Sequence, residues 1–119
     1  MPDRRSLGKL GEDAACRFLA SRGYEIVTRN FRCRLGELDI VCRQGQTVVF
    51  VEVRARSSAS FGLPQESVVG PKERKVRQVA QVYLQQAGLG EARCRFDVVA
   101  VQADRQGRIE KVEHFPDAF

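Results

Sequence analysis

The sequence has no tryptophan, a single histidine and no apolar run long enough to cross a bilayer. Its longest apolar stretches are short, as in Val48-Val49-Phe50-Val51, far below the ~20 residues a membrane-spanning helix needs. The first residues, Met1-Pro2-Asp3-Arg4-Arg5, lead into a stretch broken by glycine and charge rather than into a signal-peptide core. A cytoplasmic location without membrane contact is the expectation. The lone His114 lies in a polar, alternating segment, so Ser-His-Asp and Cys-His chemistry are excluded unless it is the base. Cys16, Cys33, Cys42 and Cys94 are widely spaced with no C-x-x-C, which speaks against zinc and for free thiols in a reducing compartment.

What is present points one way. Apolar residues make up 43% of 119, enough for one core and one domain spanning residues 1–119. Lysine and arginine number 20 against 15 acids, a formal charge of +5. That surplus suits an anionic partner, nucleic acid first.

Residues 6–22 carry Leu7, Leu10, Ala14, Phe18 and Leu19 at helical spacing, with Ser6 placed to cap and Gly23 to stop the helix. Residues 24–29 and 36–43 read as strands, the second with Leu38 and Ile40 on one face and Glu37, Asp39 and Val41 on the other. After a turn at Gln44-Gly45-Gln46, residues 47–54 read as a strand buried on both faces at its start. The serine-rich 55–65 reads as a loop. A second helix fits 71–87, opened by Pro71 and closed by Gly88. Strands over 94–103 and 108–115 follow. The expected order, α-β-β-β-α-β-β, describes an α/β fold with a mixed sheet flanked by helices.

Charge interrupts apolar strands at two places, Asp39 and Glu52. An isolated charge there is costly unless paired or bound to metal. The turn decides whether the two meet. A two-residue turn at Gln44-Gly45 pairs Asp39 with Phe50 and leaves Glu52 diagonal on the same face. A four-residue loop pairs Asp39 with Glu52, and a three-residue loop sends them to opposite faces. Converging carboxylates make a hard-oxygen site for Mg2+ or Mn2+. The plainer alternative is a strand ion pair with an arginine.

Asp39, then Glu52-Val53-Arg54 on the next strand, after a helix bearing Glu12, resembles the PD-(D/E)xK nuclease superfamily, closest to its Holliday-junction resolvases. Taken whole, the chain resembles the YraN-like family of bacterial proteins. The matching stretches are Gly8-Lys9-Leu10-Gly11-Glu12, Arg29-Asn30-Phe31-Arg32, Gly36-Glu37-Leu38-Asp39-Ile40-Val41, Phe50-Val51-Glu52-Val53-Arg54-Ala55-Arg56, Phe61-Gly62 with Pro64, and Arg95-Phe96-Asp97-Val98-Val99. The resemblance implies a restriction-endonuclease-like fold with an α-β-β-β-α-β core, and a homodimer. It implies a Mg2+- or Mn2+-dependent endonuclease acting on DNA, branched DNA included. Asp39 and Glu52 would be metal ligands, with Glu12, Asp39, Glu52 and Arg54 in the catalytic set; Glu37, read on the same strand face as Asp39, is a further candidate ligand. One position departs from the pattern. Arg54 stands where the superfamily has lysine, and arginine stays protonated, so it can only donate hydrogen bonds and charge.

Basic residues surround this core. Lys72, Arg74, Lys75 and Arg77 crowd the start of the second helix, where their charge opposes the helix dipole unless an anion sits there. Arg32, Arg34 and Arg56 flank the carboxylate strands. All seven are candidate phosphate contacts, and a solvated basic face is the alternative. Few aromatics interleave with them, so phosphate contact is expected over base stacking. Two rival functions stand beside the nuclease: a nucleic-acid-binding module that keeps the nuclease fold without catalysis, and an interaction protein with an acidic partner.

Overall fold

The structure, a computed structural model, describes residues 4–57 and 71–119. Among the described residues two helices and five strands follow the expected order: α1 (Arg4–Ser21), β1 (Glu25–Cys33), β2 (Gly36–Gln44), β3 (Thr47–Ser57), α2 (Pro71–Gln86), β4 (Arg93–Ala103) and β5 (Ile109–Phe115). α1 starts ahead of Ser6, which therefore lies inside the helix instead of capping it. Its end is as expected. Gly23 takes φ +90°, and the Tyr24 and Gly23 amides donate to Leu19 O at 3.0 Å and Ala20 O at 3.1 Å. Those bonds occupy carbonyls that a helix end otherwise leaves open.

The strands form one sheet in chain order, β1 to β5. Neighbours are antiparallel except β3 and β4, which are parallel and joined through α2. α1 covers one face, packing Ala14, Ala15 and Leu19 on Ile40, Cys42, Val49, Val51, Val99 and Val101. α2 covers the other, packing Val76, Val79, Ala80 and Leu84 on Leu38, Val41, Val48, Phe50 and Phe96. β3 thus feeds both cores, which is why its first half is apolar at successive positions. Each such buried side chain contributes about 1.5–3 kcal/mol. The architecture is that of the restriction-endonuclease-like core.

Three expectations need correction. β1 runs on to Cys33 instead of ending at 29. Ala55, Arg56 and Ser57, expected in a loop, continue β3 because the parallel ladder with β4 reaches Ser57↔Ala103. The rest of the expected loop, 58–65, lies outside the described residues. Leu38 and Ile40 do not share a face, since Leu38 packs under α2 and Ile40 under α1.

One close fit positions α1, and one buried network ties β4 to β5. Gly11 of α1 crosses β3 so tightly that a Cβ there would lie 2.6 Å from Ala55 Cβ. On the α1 side Asp97 is fully buried, and its carboxylate accepts from Arg95 Nε and Nη2 at 2.8 Å each and from the Asp117 amide at 2.9 Å. His114 Nε2 lies 2.7 Å from the same carboxylate. Burial alone would raise the Asp97 pKa, but these partners outweigh it and hold it below the usual carboxylate value. His114 therefore belongs to a structural network that ties β5 and the chain end to β4.

Candidate active site

A cavity of about 500 Å3 opens where the two helices approach the ends of β2 and β3. α1 contributes Leu7, Gly8 and Glu12; β2 contributes Gly36, Glu37 and Asp39; β3 contributes Glu52 through Ala55; α2 contributes Lys72, Lys75 and Val76.

The turn sets the geometry. Gln44 pairs with Thr47 across Gly45-Gln46, one position later than a Gln44-Gly45 turn, and the ladder ends at Ile40↔Val51. Carried one step further, this register sets Asp39 opposite Glu52, the pairing expected from the longer loop. There the side chain takes over from the ladder, as Asp39 Oδ2 accepts the Val53 amide at 2.8 Å.

Glu52 is 5% exposed. Burial, then the neighbouring Asp39, pushes its carboxyl up to about 8. Asp39 is raised as well, by burial first; the Val53 amide opposes the shift and the charge of Glu12 adds to it. Three cations share the cavity, Arg54, Lys72 and Lys75. Arg54 Nη2 stands 3.9 Å from Glu52 Oε2, a long ion pair, and its Nε and Nη2 are buried with no hydrogen-bond partner. Lys72 is lowered, by burial and then by Arg54 beside it.

The other expected residues fall into separate places. Glu12 lines the cavity, and its Oε1 accepts from Arg29 Nη2 at 3.2 Å and Asn30 Nδ2 at 3.0 Å. Glu37 also lines it, yet its carboxylate pairs with Arg32 Nε at 2.9 Å. Among the described residues no group of three or more His, Cys, Asp or Glu side chains is placed to hold a metal ion. Asp39, Glu52 and Glu37 therefore do not form a three-carboxylate cage. The pair Asp39 and Glu52 does fit a hard divalent cation, because two carboxyl groups converge in one cavity, where burial and Asp39 outweigh Arg54 and Lys72 in raising Glu52.

Of the seven basic candidates, Lys72 and Lys75 reach the cavity lining. Arg34 and Arg74 are exposed, and Arg56 is half-buried with Nε unpartnered. Arg77 is half-exposed and lies outside the cavity lining. It donates to Phe119 O at 2.6 Å, pairs with Glu73 Oε1 at 3.6 Å and lies over the Phe96 ring at 4.4 Å. Reading by spacing missed Arg29 and Asn30 as partners of Glu12. The available signal was a turn-forming Asn inside a strand.

Residues 11–101 match the uncharacterised protein family UPF0102. The chain belongs to this family. Among curated relatives, UPF0102 proteins of Moorella thermoacetica and Pelotomaculum thermopropionicum are 54% and 50% identical over 116 residues, covering 98% of this chain and 97% of theirs. One of Caldicellulosiruptor saccharolyticus is 41% identical over 117 residues, 98% of this chain and 99% of its own. The UPF0102 match spans Glu12, Glu37, Asp39, Glu52, Arg54, Lys72 and Lys75, every charged residue of the cavity.

Proposed function

We propose that this UPF0102 protein is a Mg2+- or Mn2+-dependent endonuclease acting on DNA, with branched DNA among its substrates. The observation that carries the reading is the convergence of Asp39 and Glu52 in one cavity with the unpartnered donors of Arg54. Asp39 and Glu52 would hold the cation, which when bound supplies an acidified water and positive charge at the scissile phosphate. Arg54 donates its free N–H groups to a nonbridging phosphate oxygen, where charge develops as the water attacks. Lys72 and Lys75 draw the strand into the cavity by phosphate neutralisation, and the exposed Arg34 and Arg74 extend that field.

A second reading rests on Arg54 itself. With no proton acceptor at that position, the same cavity could bind DNA phosphates without cutting. Strand cleavage is measured on junction, flap and duplex substrates with either metal. Wild type is expected to cut weakly, Glu52→Ala not at all, and Arg54→Lys at least as fast as wild type. Log–log salt dependence of binding is measured beside it, at a slope of about −0.9 per duplex phosphate contacted; Lys72→Ala with Lys75→Ala should flatten it. If wild type and Arg54→Lys bind but neither cuts, the binding module is the correct reading. If neither binds nor cuts, both fall.

A further inference from the structure

The β1–β2 ladder steps over one pair. Arg29 faces Ile40 and Phe31 faces Leu38, which sets Asn30 opposite Asp39. Asn30, Asp39 and Glu52 therefore lie in one row across three strands. Asn30 has φ +56°, the left-handed region that a strand residue does not ordinarily visit. Asn is one of the few side chains for which that conformation is tolerable.

The conformation has a consequence on both sides of the row. Side chains two apart in a strand normally share a face. Here Arg29 reaches Glu12 and Asp13 on α1 at 3.2 and 2.8 Å, whereas Phe31 meets Tyr83 of α2 edge-on, 5.2 Å between centroids. Ile40 and Leu38 divide in the same way. The reversal delivers two donors, Arg29 Nη2 and Asn30 Nδ2, to the same oxygen of Glu12. A carboxylate oxygen already committed to two protein donors is poorly placed to coordinate a cation.

We propose that Asn30 is a positioning residue which, with Arg29, holds Glu12 in the cavity lining as a hydrogen-bonding group outside the cation's coordination sphere. The cavity is then a two-carboxylate site for one divalent ion. The inference rests on the cation-binding reading above, and the test separates the two.

Free Mn2+ is titrated by electron paramagnetic resonance against the full chain, without DNA. Wild type is expected to bind one Mn2+, and Glu12→Gln to keep that number with affinity altered less than about threefold. Glu52→Gln should lose about tenfold or more, as expected for a direct ligand. Asn30→Gly suits the left-handed backbone, so its thermal midpoint should not fall. Asn30→Gly combined with Arg29→Gln releases Glu12, and Mn2+ binding should tighten about tenfold or gain a second ion, an effect erased by adding Glu12→Gln. If the double variant does not fold, Asn30→Gly alone carries the test, with tightening of the same sign and about threefold size. A tenfold loss in Glu12→Gln, two ions on wild type, or unchanged affinity in both Asn30→Gly and its combination with Arg29→Gln would overturn the positioning role while leaving the cation site standing. No Mn2+ binding by wild type would overturn both.

Discussion

Replacing Glu52 by Gln tests the electrostatics of the cavity without any reference to activity. The carboxyl ionises near 4.5 in the unfolded chain and near 8 in the fold, because it is buried beside Asp39. The unfolded state therefore releases the proton first, and stability falls as pH rises from about 4.5 to about 8. At about 1.4 kcal/mol per pH unit, the full span amounts to roughly 5 kcal/mol, of which roughly 3–4 is lost between pH 5 and pH 8. Glu52→Gln keeps the size and removes the ionisation. Urea unfolding in EDTA should show wild type losing that stability over the pH 5–8 window and the variant losing clearly less, its remaining slope coming from the raised carboxyl of Asp39. Millimolar Mg2+ should restore much of the wild-type loss and do little for the variant, since an ion on two carboxylates stabilises the form that binds it. Parallel pH profiles for the two proteins would refute the reasoning, because they would mean that Glu52 is solvated or already compensated by Arg54.

Two further outcomes follow from the packing. Gly11→Ala drives a Cβ to 2.6 Å from Ala55 Cβ, so α1 must lift from β3 at a cost of about 1–3 kcal/mol by urea unfolding; Ala55→Gly in the same chain should recover most of it, and an additive double variant would show that the contact is not the cause. Asp97→Ala leaves Arg95 and His114 without the buried carboxylate and should cost about 3–5 kcal/mol at pH 7; a loss below about 1 kcal/mol would mean that solvent replaces the network.

The sequence by itself determined the order of the elements and the two-faced burial of β3, because periods of 3.6 and 2 and the glycine stops are local properties. It also marked Asp39 and Glu52, since a charge between apolar strand residues stands out wherever the chain folds. It could not determine register, where one residue in the turn decides whether Asp39 faces Phe50 or Glu52. Nor could it extend β3 through Ser57, because a partner some forty-six residues along the chain, Ala103, stabilises a stretch whose own composition favours a loop. The opposite faces of Leu38 and Ile40 follow from the left-handed turn of Asn30 in the neighbouring strand, which no alternation within β2 records. Lys72 and Arg77 are alike in the sequence only as basic residues near the start of the helix. Only the path of α2 across the sheet sends one into the cavity and lays the other over Phe96. The same holds for Asp97, whose partners Arg95, His114 and Asp117 meet around it through strand pairing that acts at a distance along the chain.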